Sequence, residues 1–273
     1  MTDLARAPLG HTTGYPDTYD PAQLFAIERA PQRATLGLGA TLPFAGSDVW
    51  TAYELTWLDR RGRPEIAIAT IEVPASSPSI VESKSMKLYL GSFAQSSFDD
   101  AGVVAATIEH DLAAATGAAV RVRLDGPSTF AHQHLAELDG ESLDSLRIEI
   151  THYEVDPAAL TTAGEAVDEA LTTNLFRSVC PVTGQPDIAS MRIAYRGPKI
   201  DRAGLLRYLV SYRRHPGFHE HCVERIFVDL VSRCGCERLT VYARFTRRGG
   251  IDINPFRTTA AIAPPPNART ARQ

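Results

Sequence analysis

The sequence has little of what marks most specialised proteins. Four cysteines in 273 residues do not make a disulfide framework. No apolar run approaches the length needed to span a bilayer. The net charge of −4 is mild, and the lack of a basic patch argues against broad electrostatic binding of nucleic acid. The first residues, Met1-Thr2-Asp3-Leu4-Ala5-Arg6, lack the basic start and apolar core of a secretory signal, so a cytoplasmic chain is expected. Metal-ligand spacing is also missing. His132 and His134 have no Cys or carboxylate cluster beside them, His219 and His221 point in different directions on a helix, and Cys234-Gly235-Cys236 has no partner pair, so no metal is expected. What remains is a globular composition, 44% hydrophobic and 22% charged, sufficient for one large domain or two of ordinary size.

Residues 1–45 are rich in Pro, Gly, Thr and Ala and read as an irregular arm with a short helix near residues 21–29. Alternation predicts strands over 53–58 and 65–73, joined by a hairpin turn at Arg61-Gly62-Arg63-Pro64. Helices follow near 83–85 and over 99–116. The second has acidic residues in its first turn and Gly117 at its end. Residues 120–124 read as a strand and 125–145 as a connection. Leu146, Ile148 and Ile150 alternate with polar residues, which predicts another strand. A helix is expected between 156 and 175, and a strand around Met191, Ile193 and Tyr195. Further helices run over 201–214 and from about Gly217, where Cys222, Val223, Ile226, Phe227, Leu230 and Val231 share a face and Gly235 ends the run. Leu239, Val241, Ala243 and Phe245 form a strand leading into a turn at Arg247-Arg248-Gly249-Gly250. The Pro- and Ala-rich residues 258–273 are expected to be disordered. One element order thus occurs twice, implying two similar halves with a ligand site at their junction.

Four segments carry candidate chemistry. Residues 174–190 hold Cys180 and Asp187 in a loop punctuated by Pro181, Gly184 and Pro186. Proline pushes the residue before it into extended backbone, so Cys180 and Gln185 are expected extended. A thiol and a carboxyl held in fixed relation suit a nucleophile with a nearby acid, although the loop alone fits a buried, inert cysteine better. Glu82-Ser83-Lys84-Ser85-Met86-Lys87 puts lysines at a helix start, where free N–H groups attract phosphate; on this segment alone a capped, solvated terminus is the better reading. His219-Glu220 opens a helix and can hydrogen-bond the edge of a heterocycle, the glutamate accepting from two N–H groups of a guanine-like ring. Arg247 and Arg248 beside Gly249 and Gly250 read as a solvated turn or as a clamp for a dinucleotide phosphate.

Together these segments resemble a known family. Glu82-Ser83-Lys84-Ser85-Met86-Lys87-Leu88-Tyr89-Leu90, residues 178–187, Phe218-His219-Glu220-His221-Cys222-Val223-Glu224 and residues 242–255 resemble, in order, the long two-module NADPH-dependent 7-cyano-7-deazaguanine reductases, the nitrile reductases of queuosine biosynthesis. The resemblance covers residues 40–258. Met86 stands where the family often has Phe, and Ile188 and Phe256 where it often has Trp; Ile188 adjoins the acid. The resemblance implies an α+β tandem tunnelling fold, each half an antiparallel sheet backed by two helices. The arm is then residues 1–45, the modules 46–140 and 141–257, and the tail 258–273. It implies that Cys180 adds to the nitrile as a thioimide-forming nucleophile and Asp187 serves as general acid. Val81, Glu82, Ser83, His219 and Glu220 would hold the deazaguanine. Ser83, Lys84, Arg248 and Gly249 would bind NADPH, with Lys87 assisting. The family also implies a cytoplasmic homodimer acting on a small molecule. Two other readings fit parts of this pattern: a cysteine-dependent nitrile or amide hydrolase that ignores NADPH, and a non-catalytic purine-binding module. A zinc-dependent cyclohydrolase on the same fold lacks its ligand set.

Overall fold

Val104, Ile108 and Leu112 recur every fourth residue, and a helix turns all three onto one fully buried face. At about 1.5–3 kcal/mol for each buried side chain, that stripe fixes the helix against a sheet. The computed structural model describes residues 14–273, so the first thirteen residues of the expected arm lie outside the described residues. The chain divides into two units.

Unit 1 takes residues 14–35, Ser47–His134 and Arg247–Ile253. Its arm is less irregular than expected. A single 3-10 turn, Pro21–Gln23, is capped by Asp20. β1 (Ala26–Glu28) then pairs with β4 (Ser79–Val81), and α1 (Ala30–Thr35) follows. Arg29 anchors the arm through its buried guanidinium, which bonds Asp48 at 2.5 Å and Ser77 at 3.2 Å. Composition alone could not reveal those partners.

β2 (Ala45–Leu58), β3 (Pro64–Pro74) and β5 (Arg121–Asp125) form an antiparallel sheet, with Trp50 opposite Ile71. Asp59 closes the β2–β3 hairpin by accepting from the N–H groups of Arg61 and Arg63. α2 (Ser83–Gly91) and α3 (Ala101–Thr116) pack on this sheet, burying Met86, Tyr89, Ile108 and Leu112 with Trp50 and Trp57. The first turn of α3 is not acidic. Asp100 stands just outside it as the N-cap, accepting from Val103 N–H at 2.9 Å. Ile251 and Ile253, at the start of β10 (Ile251–Thr258), are buried in this same core. That burial assigns Arg247–Ile253 here rather than to the second module.

Unit 2 takes Leu36–Gly46, Leu135–Thr246 and Asn254–Gln273. β7 (Thr162–Val179) pairs with β8 (Pro186–Ile200), β8 with β9 (Arg238–Phe245), and β9 with β10, all antiparallel; β6 (Glu141–Ser142) runs parallel to β7. α4 (Arg202–Ser211) is capped by Asp201, and α5 (His219–Cys234) buries Cys222, Val223, Ile226, Phe227 and Leu230. Phe44 packs edge-on against Phe227, which draws Leu36–Gly46 into this unit. Setting aside β1, α1 and β4 in unit 1, β6 in unit 2, and β10, each unit runs strand, strand, helix, helix, strand, an α+β arrangement of antiparallel strands backed by two helices.

Three expectations need correction. The helix expected within 156–175 shrinks to a single 3-10 turn, Pro157–Ala159, capped by Asp156; from Thr162 the chain is the long strand β7, because its residues pair with β8 as far as Val179 and such pairing overrides local preference. Leu146, Ile148 and Ile150 alternate in burial but form no strand; alternation needs a ladder partner, and the parallel neighbour of β7 is the two-residue β6. The tail expected to be disordered is packed. Gln273 is 5% exposed and bonds Arg244, Phe245 and Asn254, so a few polar hooks outweigh the Pro- and Ala-rich composition.

Candidate active site

In the β7–β8 hairpin Val179 faces Pro186 and Ser178 faces Asp187. Cys180 therefore sits in the connecting turn and Asp187 one residue into the returning strand. The turn closes on itself: Cys180 N–H donates to the Gln185 carbonyl at 2.8 Å, and the Cys180 carbonyl accepts from Gly184 N–H at 2.9 Å. Gly184 has a φ of 70°, a conformation suited to glycine. Although most of the turn is exposed, Cys180 and Asp187 are each only 4% exposed.

The segment before α5 is stitched to the same strand. Val179 N–H donates to the His215 carbonyl at 3.0 Å, and Gly217 N–H to the Val179 carbonyl at 3.1 Å. This brings the start of α5 to the acid. His219 Nε2 lies 3.4 Å from Asp187 Oδ1, and the imidazole packs on Phe245 with ring centroids 4.0 Å apart. Phe218 supplies no side-chain cap to α5, while Glu220 lies buried in the first turn, where the helix dipole favours a carboxylate. Cys222 is one position past His221 and fully buried. Burial, aided by Asp187 and Glu220, pushes its thiol up to about 12. Burial likewise raises Cys234 to about 11 and Cys236 to about 12. These three remain thiols at neutral pH and are poor nucleophiles.

Unit 1 carries the other sequence-named residues. Val81 pairs with Ala26, and Glu82 N–H donates to the Phe25 carbonyl at 2.9 Å. The Glu82 carboxylate, 1% exposed, is the N-cap of α2: it accepts from Lys84 N–H at 2.6 Å, Ser85 N–H at 2.9 Å and Ser83 Oγ at 3.3 Å. Burial raises its pKa despite those bonds. Glutamate is not among the residues usually preferred as caps, so the capped terminus expected here has an unusual capping residue, and one that is buried rather than solvated.

Lys87 stands four residues after Ser83 and three after Lys84, so it neighbours each of them on the surface of α2. Lys87 leans over the β9–β10 turn, where Gly249 and Gly250 have φ of 60° and 77°. A Cβ added at Gly249 would lie 2.6 Å from Lys87 Nζ, and one at Gly250 would lie 2.6 Å from Glu54 Oε2. Bare backbone is thus kept between an ammonium and a carboxylate, lining a cavity of about 70 Å³ with Leu55 and Leu90. Lys87 and the bare backbone at Gly249 could receive an anionic group such as a dinucleotide phosphate, while the Glu54 carboxylate beside Gly250 opposes one on its own side. Lys87 and Gly249 are brought together, and Glu54 is a neighbour that sequence reasoning missed. A larger cavity of about 450 Å³ in unit 2 is lined by residues 151–155 and 214–216 and contains none of the sequence-named residues. Among the described residues, no three His, Cys, Asp or Glu side chains are grouped to hold a metal ion, and no helix is long and apolar enough to cross a membrane.

A buried thiol and acid on one hairpin, with a His-Glu pair at an adjoining helix start, suit covalent chemistry on a heterocyclic substrate. Residues 15–124 match the family described as nitrile reductase, 7-cyano-7-deazaguanine-reductase N-term, and residues 186–263 match that of QueF-like protein, so the class is that of the nitrile reductases. The NADPH-dependent 7-cyano-7-deazaguanine reductase of Bordetella parapertussis is 56% identical over 271 residues, 99% of each chain. That of Burkholderia pseudomallei is 57% identical over 269 residues, 98% of each. The chain belongs to the family of NADPH-dependent 7-cyano-7-deazaguanine reductases. Among solved structures, an apo archaeosine synthase QueF-like chain aligns with 37% of this chain and 98% of its own, at 14% identity and a TM-score of 0.32.

Proposed function

We propose that this chain reduces the nitrile of 7-cyano-7-deazaguanine to an aminomethyl group with NADPH, through a thioimide on Cys180. The observation that carries this reading is the β7–β8 hairpin, which buries a thiol and a carboxyl together and sets His219 against the carboxyl.

Cys180 Sγ bonds to the nitrile carbon and one C–N π bond breaks, its electron pair moving to nitrogen. The thiol loses one proton and the nitrogen gains one, so the addition is balanced without a co-reactant. Asp187 delivers the proton to nitrogen as general acid, and His219 fixes the carboxyl. Two NADPH molecules, bound in turn, would each supply one hydride, and with two further protons these would take the thioimide carbon to the amine. The C–S bond breaks between the two reductions, its electron pair leaving with sulfur, which restores Cys180 for the next turnover. His219 and Glu220 hold the deazaguanine, and Val81, Glu82 and Ser83 are further substrate-binding residues. Ser83, Lys84, Arg248 and Gly249 bind NADPH with Lys87. The working form is a cytoplasmic homodimer that takes a small molecule rather than nucleic acid.

The test is Cys180→Ala, incubated with the nitrile and followed by intact mass and by NADPH absorbance. Both the covalent adduct and cofactor consumption are expected to vanish, while Cys222→Ala keeps the adduct. An adduct that survives Cys180→Ala removes this residue from its role. Release of ammonia without loss of NADPH would instead identify a hydrolase.

A further inference from the structure

The side chain of Gln273 ties the tail to β9 and β10. Gln273 Oε1 accepts from Arg244 Nε at 2.6 Å and Thr270 N–H at 3.1 Å, while Nε2 donates to the Phe245 carbonyl at 2.9 Å and Asn254 Oδ1 at 2.8 Å. A carboxamide offers two N–H donors and one carbonyl oxygen with two lone pairs, so every position is used. The β9–β10 register reaches Tyr242 opposite Phe256. Beyond it, the carboxamide takes over and ties Phe245 on one strand to Asn254 on the other.

Other residues hold the tail in place around Gln273. Arg244 Nη1 donates to Asn267 Oδ1 at 2.8 Å, Arg272 Nη2 to the Asn174 carbonyl at 2.8 Å, and Ala271 N–H to Glu137 Oε1 at 3.0 Å. Phe245, whose carbonyl Gln273 holds, lays its ring on His219, and His219 Nε2 is 3.4 Å from Asp187. We infer that Gln273 is a positioning residue for the reaction. It fixes the end of β9, and through the Phe245 ring it fixes the imidazole of His219 against the catalytic acid. The inference rests on the reading above, in which His219 contacts the substrate.

The experiment is a double-mutant cycle on the full chain: Gln273→Ala, His219→Ala and both together, with nitrile KM, NADPH KM, kcat and Tm measured for each. One or two lost buried hydrogen bonds should raise the nitrile KM of Gln273→Ala roughly three- to tenfold with the NADPH KM unchanged. In the His219→Ala background the second change should add nothing, because the group being positioned is gone. Phe245→Leu, which keeps the carboxamide but removes the ring, should reproduce the nitrile loss and decides the matter if Gln273→Ala does not fold. A Gln273→Ala variant whose Tm falls with nitrile KM and kcat unchanged overturns the inference, as does a loss that adds in full to His219→Ala. If His219→Ala weakens nitrile binding and neither Gln273→Ala nor Phe245→Leu does, only the positioning role falls. If His219→Ala itself binds nitrile normally, the site reading and the inference fall together.

Discussion

α3 in unit 1 and α5 in unit 2 are both 16 residues long, and both stop at a left-handed glycine, Gly117 and Gly235. They differ at the other end. Asp100 uses its carboxylate to cap α3, whereas Phe218 leaves α5 without a side-chain cap and His219-Glu220 fills the first turn. The hairpins differ in the same sense. Asp59 closes the β2–β3 tip with backbone bonds to Arg63 and Gly62 and adds its side chain to the closure, and the residues beyond it are exposed. The β7–β8 tip is closed by backbone bonds of Cys180, which leaves the buried thiol unspent on the turn. In unit 1 the carboxylates of Asp100 and Asp59 satisfy local backbone; at the matching places in unit 2, Cys180 and the His219-Glu220 pair are not used in that way, which leaves them available for the proposed chemistry.

The largest consequence concerns the two hairpin acids. Asp187→Asn keeps the shape of the side chain but cannot give up a proton as an acid does. It should lower kcat by about 10²–10⁴-fold while nitrile binding persists. Asp59→Asn, the counterpart in unit 1, should leave kcat unaltered. Steady-state rates with NADPH measure both, and an Asp187→Asn enzyme with full kcat would assign the proton to a different group.

A second contrast is in pH response. Beside the Cys180 strand, burial, Arg225 and His221 lower the pKa of His215 to about 4. In the unfolded chain the same imidazole titrates near 6.5. The folded value is depressed, so the unfolded chain binds the proton first. This contribution to stability is complete above about pH 6.5 and is lost as pH falls toward 4, an effect of about 2 kcal/mol. Urea denaturation at pH 7 and pH 5 should show the loss in the parent chain and a flatter profile in His215→Asn. Equal slopes in the two proteins would show that His215 is not the titrating group.

The residues most legible in the sequence were those whose pattern is local. The Val104-Ile108-Leu112 stripe and the helical face from Cys222 to Leu230 could be read from spacing, and Gly117 and Gly235 mark the ends of their helices. The motifs named Cys180, Asp187, His219 and Glu220, and the fold brings His219 to Asp187. What stayed hidden depends on distant partners. β7 is a strand because β8 lies beside it, and Leu146–Ile150 is not one because nothing comparable does. Arg29 with Asp48 and Gln273 with Phe245 are joined across long stretches of chain. The Glu82 segment fits a capped helix terminus from its sequence, but that the cap is the Glu82 carboxylate itself, buried rather than solvated, depends on where the N–H groups of Lys84 and Ser85 lie.

The smallest expected effects come from exchanging the two helix starts. Asp100→Ala removes a cap and should cost about 1 kcal/mol of stability with kcat unchanged, since unit 1 uses that carboxylate only to close α3. Phe218→Asp does the reverse. An aspartate at the cap position of α5 can accept from first-turn N–H groups and add up to about 1 kcal/mol, reinforced by the dipole at that end. It also places a second carboxylate beside Glu220, where it competes for the donors that, in the proposed function, His219 and Glu220 receive from a heterocycle. The expected result is a higher Tm together with a higher nitrile KM, measured on one preparation. A Phe218→Asp chain that is more stable and binds the nitrile as before would mean that the uncapped start of α5 is an accident of sequence, and that the contrast between the two helices carries no functional weight.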